Sequence, residues 1–297
     1  MTVEWVALLF LTALVLLALL AAGVRVPGIS LAQAVASRIL CAAALADSCG
    51  DEPALFAAYG SEVGAIVRDD MPSLVFEHGS RAVPVDFRSC RDTSCGDGPD
   101  AGLVLRSDTG LPVTAFVHVI DCRPGGLRPA GADCSGDRAG NLYLQFWTYY
   151  ADSATLRGVP IVGARGYHRD DWESVQFRIG PDGDVAQRAS SHNGYNNGKG
   201  IANAPSDAGI VPLRDLAEAV GARPHGGWGR PSGLLFVSGG SHAGNVGALQ
   251  AIDRLTPGNR VHLVPLEPIA AESGAQFAIS PPWRKRVWLD PEAEDTE

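Results

Sequence analysis

Lysine is almost missing from this chain. Of its 24 basic residues only Lys199 and Lys285 are lysine, and no stretch gathers the arginines into a block. Asp and Glu number 33, for a formal net charge of -9. Nucleic-acid binding draws on clustered Lys and Arg, so that class of partner is excluded. A P-loop and a dinucleotide fingerprint are also missing, as is any C-x2-C knuckle. Nucleotide folds and zinc ribbons therefore find no support. No repeat of 20–50 residues is visible, which sets solenoids aside. The nearest approach to a serine nucleophile elbow, Gly239-Gly240-Ser241-His242-Ala243, has alanine where G-x-S-x-G needs its last glycine.

What is present is apolar content of 46% over 297 residues, enough for a core in one large domain or two small ones. Trp5 to Gly23 form 19 residues without a charge. As a helix they reach about 28 Å, close to the hydrocarbon thickness of a bilayer. The stretch before them holds Glu4 and no Lys or Arg, which is wrong for a signal peptide. We read a retained single-pass anchor over 1–24. A signal cleaved near Ala21, Ala22 and Gly23 is the alternative. Met1-Thr2-Val3-Glu4-Trp5 resembles the N-terminus of actinobacterial Flp/TadE-type pilin-like proteins, which implies a filament or surface-assembly subunit as one possible role.

Six cysteines follow in three close pairs, 41/49, 90/95 and 122/134. An even count beyond a membrane segment points to disulfides in an oxidising compartment, with local pairing expected. The main domain is thus expected outside the cytoplasm, tethered to the cell membrane.

Apolar spacing predicts helices over 29–46 and 53–67, the second stopped by Pro72. Together they make a helical juxtamembrane segment over 25–71. From Ser73 the pattern changes to short apolar or alternating runs between Gly, Pro, Asp and Asn clusters. Strands are predicted at 73–77, 82–87, 112–120, 141–150, 172–179, 184–190, 233–238, 260–265 and 285–289, with one helix at 212–220. The fold class is mainly β: a sandwich with long loops over 72–290, preceded by the N-terminal transmembrane helix and short helices. Residues 291–297 read as a disordered acidic tail.

The densest polar cluster is Tyr167-His168-Arg169-Asp170-Asp171-Trp172-Glu173. In a strand, side chains two apart share a face, so Asp171 and Glu173 face one way and Trp172 the other. If strands 141–150 and 172–179 pair antiparallel, Asp152 arrives beside them. Converging carboxylates repel unless protonated or countered by a cation. One His with three carboxylates suits a hard divalent ion, Ca²⁺ or Mg²⁺, more than Zn²⁺.

This stretch resembles the heptapeptide G-H-R-H-D-W-E of necrosis- and ethylene-inducing-like proteins (the NPP1 family) and the H-x-G-D-W-E element of Vps62-like proteins. His168, Arg169, Asp171, Trp172 and Glu173 fall on matching positions, while Asp170 replaces the second His and Gly166 is displaced by one. Phe146 to Asp152, Ser190 to Tyr195 and Gly240-Ser241-His242-Ala243 resemble further elements of these proteins. The resemblance implies a β-sandwich with a divalent-ion site that helps bind a glycolipid or sugar headgroup. By position it implies metal ligands at Asp152, His168, Asp171 and Glu173, with His192 and His242 rimming the pocket. Trp147, Tyr149 and Tyr150 are candidates for stacking on sugar rings. The alternative use of the same site is metal-dependent hydrolysis, with His192 or His242 as general base.

Overall fold

The computed structural model describes residues 25–26, 29–30, 52–77, 82–91, 95–96, 110–154, 167–191, 194–196, 227–246, 252–268 and 276–293. The chain divides into two compact units, residues 1–68 and 69–297.

In the first unit, β1 (Arg25–Val26) and β2 (Ile29–Ser30) pair antiparallel, so residues 29 and 30 are extended where a helix was expected to begin. The sequence between them, Pro27-Gly28, is a turn-forming dipeptide. Helix α1 (Glu52–Asp70) follows, broken at Gly60, whose φ of 78° suits a residue without Cβ. Leu55, Val63 and Val67 are its buried stripe. The apolar run 5–23, the rest of the 29–46 stretch, the 212–220 stretch, and Cys41 and Cys49 lie outside the described residues. Among the described residues no helix is long and apolar enough to cross a membrane.

The second unit is built on two mixed sheets. Its strands are β3 (Ser73–Glu77), β4 (Thr114–Asp121), β5 (Leu142–Ala154), β6 (Tyr167–Ile179), β7 (Val185–Ser191), β8 (Gly194–Asn196), β9 (Leu234–Val237), β10 (Gly244–Asn245), β11 (Ile252–Thr256) and β12 (His262–Pro265). The order is β10-β9-β3-β11 in the smaller sheet and β12-β4-β5-β6-β7-β8 in the larger. β3 runs parallel to β9 and β12 parallel to β4, while the remaining pairs are antiparallel.

Two predicted strands are not strands. Residues 82–87 run irregularly, because Pro84 has no N–H to give a ladder. They still tie in at single points: Val85 donates to the Tyr149 carbonyl and Thr114 to the Pro84 carbonyl. Residues 285–289 form parts of two 3₁₀ turns after Pro281-Pro282, with Trp288 N bonded to Lys285 O. These local bonds satisfy backbone groups that a strand would have offered to a neighbour.

The alternation in β5 holds. Leu144 and Phe146, with Val175, Phe177 and Ala189 from β6 and β7, line one buried face, where the Phe146 and Phe177 rings meet edge to face. The smaller sheet comes onto this face through β10. A Cβ on Gly244 would fall 3.0 Å from that of Ala189, a closeness glycine permits. The opposite face carries His118, Gln145, Gln176 and Arg188, all buried. The C-terminal residues cover it. Gln145 donates to Val287 O, and the His118 ring stacks on Trp288 at 3.4 Å. Arg188 donates to the carbonyls of Pro291 and Ala293. Residues 291–293 are therefore docked rather than disordered. Glu292 accepts bonds from Tyr143, Arg178 and Trp228, enough donors to hold a carboxylate inside.

Two disulfides brace the unit, Cys90–Cys95 and Cys122–Cys134. Both are local pairs read from the spacing.

Candidate functional site

The site is set by the register of β5 and β6. Thr148 lies opposite Glu173, Tyr150 opposite Asp171 and Asp152 opposite Arg169. Asp171 and Glu173 thus share the face turned toward the smaller sheet. Trp172 faces the other way, into an aromatic cluster with Phe87, Phe116, Tyr149, Phe277 and Trp283.

The connection from β9 to β10 brings His242 to the carboxylates. Asp171 Oδ2 stands 2.8 Å from His242 Nδ1, and both side chains are buried. A carboxylate only accepts, so Nδ1 carries a proton and Nε2 is the ring nitrogen left to meet another group. Nε2 has no partner among the described residues. The Tyr150 ring stacks on the imidazole at 3.9 Å with 6° between the planes. Its hydroxyl lies beside that of Thr148, which also reaches the Glu173 carbonyl. A buried polar atom without a partner, such as His242 Nε2, is uncommon and makes this a candidate site.

Glu173 Oε2 accepts from the Ser190 hydroxyl at 2.8 Å. Burial first, and then the Asp171 carboxylate, push the Glu173 carboxyl well above the ordinary carboxylate range, against the pull of Ser190 and Lys285. Burial and the same two carboxylates push the Tyr150 phenol well up. Burial and mutual repulsion thus disfavour a second full negative charge beside Asp171.

Backbone geometry is unusual at this spot. Among the described residues Asp170 (φ 58°) and His242 (φ 54°) are the non-glycine residues in the left-handed region. Such residues cost on the order of 1–3 kcal/mol, persist only where their surroundings over-determine them, and cluster at functional sites. The His242 turn is pinned from both sheets, by Gly239 N on the Glu77 carboxylate and by the Ser153 hydroxyl on Gly240 O.

The expected residues separate as follows. Asp171, Glu173 and His242 come together. Asp152 is buried one step along the ladder, pressed against Gly96, where a Cβ would come within 2.5 Å of its Oδ2. His168 turns its Nδ1 to the carbonyls of Arg169 and Asp170. Among the described residues no three His, Cys, Asp or Glu side chains are grouped closely enough to hold a metal ion. A ready four-ligand cage is therefore not part of the fold. The donor chemistry that fits a hard cation is the Asp171–Glu173 pair. His192 lies outside the described residues. Trp147 and Tyr149 are corrected to core residues. Both are 0% exposed, Trp147 donating to Gln145 and Tyr149 to Asp170, so neither ring is free to stack on a sugar. Sequence reasoning missed Tyr150 and Ser190 as neighbours of the carboxylates. Tyr150 was legible in principle, since the register that brings in Asp152 also sets Tyr150 opposite Asp171.

These features define a two-sheet, disulfide-braced β-sandwich with a buried carboxylate–imidazole site between its sheets. No family model matches the chain, and no curated protein matches it. Among solved structures it is similar to NLPPya in complex with mannosamine, at 21% identity and a TM-score of 0.28 over 45% of this chain and 51% of that one. It is similar to NLPPya in complex with glucosamine at 23% identity and a TM-score of 0.26 over 45% and 52%. A structure described as a toxin fold for microbial attack and plant defense matches at 21% identity and a TM-score of 0.27 over 46% and 54%. The chain spans about half the length of the solved structures it matches. Overlap this partial carries no argument about the site.

Proposed function

We propose that this chain is an extracytoplasmic binding protein, tethered by the 5–23 segment, that takes a sugar or glycolipid-type ligand at the Asp171–Glu173–His242 cluster with a divalent cation, Ca²⁺ or Mg²⁺, as co-ligand. The observation that carries this reading is the carboxylate pair. Asp171 and Glu173 share one buried face, and burial together with their repulsion favours a proton on Glu173. A hard cation there supplies the charge that offsets the pair and offers coordination positions to hydroxyl oxygens. Asp171 orients His242, whose Nε2 accepts from a ligand hydroxyl. Tyr150 Oη serves as a second hydrogen-bonding group. The Cys90–Cys95 and Cys122–Cys134 bridges support an oxidising location.

The test is a thermal and calorimetric titration of the full chain with Ca²⁺ and Mg²⁺, each alone and with glucosamine or mannosamine as probes. A melting temperature that rises with millimolar cation, and sugar binding that needs the cation, support the proposal. Neither effect in the wild type defeats it.

A second reading rests on the Asp171–His242 contact itself. A carboxylate-oriented imidazole with its far nitrogen free is the arrangement of a general base. Hydrolysis of phosphodiester or glycoside substrates that disappears in His242→Gln would favour a hydrolase. Binding without turnover favours the first reading.

A further inference from the structure

Asp170 and Asp171 are adjacent, yet their carboxylates serve opposite faces of β6. Asp171 meets His242, whereas Asp170 is held on the aromatic side by a full set of donors. Its Oδ1 accepts from Tyr149 Oη at 2.7 Å and Arg91 Nε at 3.2 Å, and its Oδ2 accepts from Ala278 N at 2.8 Å and Arg91 Nη2 at 3.4 Å. Strand alternation puts Asp170 on the Trp172 side, and its backbone is left-handed there. An L residue keeps that conformation when its neighbours leave no alternative.

Arg91 is the charged member of that set, and it is itself wedged. Its guanidinium lies 3.9 Å over the Phe277 ring and donates to Gln276 O at 2.7 Å, while its own carbonyl accepts from Arg169. It stands next to Cys90, in the short loop closed by the bridge to Cys95. The far end of that loop, Gly96, presses on Asp152 of β5. One disulfide loop therefore grips both strands of the site, at Asp170 and at Asp152.

We propose that Arg91, carried on the Cys90–Cys95 loop, is a positioning residue: by fixing Asp170 it sets where the Asp171 carboxylate meets His242, and so sets how tightly the site holds its cation. The affinity part rests on the function proposed above. The effect on the Asp171–His242 contact does not.

The experiment compares the full-length wild type with Arg91→Gln, with Cys90→Ser/Cys95→Ser, and with Arg88→Gln as control. Arg88 lies near the same loop and pairs with Asp86. Two readouts are taken alongside the melting temperature: the imidazole Nδ1–H resonance of His242, and the Kd for Mg²⁺ alone. Arg91→Gln and the double serine variant are expected to shift or lose the His242 resonance. They are expected to weaken Mg²⁺ by about 10-fold or more, the usual effect of removing a group that orients a ligand. Arg88→Gln is expected to leave both readouts as in the wild type. A His242 resonance unchanged in Arg91→Gln overturns the proposal. So does a change of equal size in Arg88→Gln, which would report general loosening of the loop. If the wild type binds no Mg²⁺, the ligand reading falls and the resonance alone decides the positioning role.

Discussion

Asp171 Oδ2 and His242 Nδ1 stand 2.8 Å apart although they come from different sheets and lie 71 residues apart in the chain. Two sheets, each carrying one left-handed non-glycine residue at this place, converge on that hydrogen bond. Beside it Glu173 adds a second buried carboxylate, and Tyr150 covers the imidazole. The arrangement places an unpartnered imidazole nitrogen beside two buried carboxyl groups, which a purely structural core would avoid.

Replacing one carboxylate of the pair separates its electrostatic cost from its use. Glu173→Gln keeps a group that can accept from Ser190 but removes the charge facing Asp171. In chelator at neutral pH the variant is expected to melt close to the wild type, because the raised Glu173 carboxyl already favours its neutral form. In millimolar Mg²⁺ only the wild type, which can give up that proton to the cation, is expected to melt higher. A differential scan in both buffers checks this.

Acid should act through His118. Burial lowers its imidazole to about 4, against a bond to the Trp288 carbonyl. The folded state therefore prefers the neutral ring. The stabilisation is fully present above the ordinary His value of ~6.5 and is lost as pH falls from there toward 4. The loss is on the order of 3 kcal/mol. Urea unfolding of wild type and His118→Gln between pH 7 and pH 4 is expected to show the stability difference shrinking by that order.

The interior aromatics and the site aromatic should behave oppositely. Trp147→Ala is expected to cost about 3–5 kcal/mol, the usual figure for emptying a buried aromatic position, since Trp147 is 0% exposed. Tyr150→Phe removes a buried hydroxyl whose one neighbouring group is Thr148 and is expected to change stability by no more than about 1 kcal/mol. It is expected to weaken sugar binding. Chemical denaturation paired with calorimetry distinguishes the two.

The C-terminus should matter to stability. Deleting residues 291–297 strips two carbonyl acceptors from the buried Arg188 guanidinium and the Glu292 carboxylate from Tyr143, Arg178 and Trp228. A cost of about 3–5 kcal/mol is expected, by analogy with breaking a buried ion pair from one side. A truncated chain with wild-type unfolding would contradict the docking of this segment.

Much of the sheet framework was legible because period-2 alternation is a local signal. β3 matches its predicted bounds, 73–77, and β5 and β6 differ mainly by running on to Ala154 and back to Tyr167. The failures have specific causes. Residues 82–87 alternate, but Pro84 forbids a ladder. Residues 285–289 have strand-forming side chains, but preceding prolines and local bonds turn them into 3₁₀ turns. Trp147 and Tyr149 were assigned to the correct face, yet whether that face is open depends on the remote residues 276–293 packed over it. The docking of residues 291–293 was hidden for the same reason, since the buried Arg188 that receives them is about 100 positions earlier. At the site, the pairing of Asp171 and Glu173 follows from strand geometry. The approach of His242 does not, because it depends on how the smaller sheet meets the larger.

The most direct measurement is the heat of Mg²⁺ binding to the full chain, compared with Asp171→Asn, a variant of nearly identical shape. Saturable binding in the wild type that is lost in the variant, with both proteins folded, is the predicted result. Equal binding in the two, or none in either, would contradict a cation held by the Asp171–Glu173 pair.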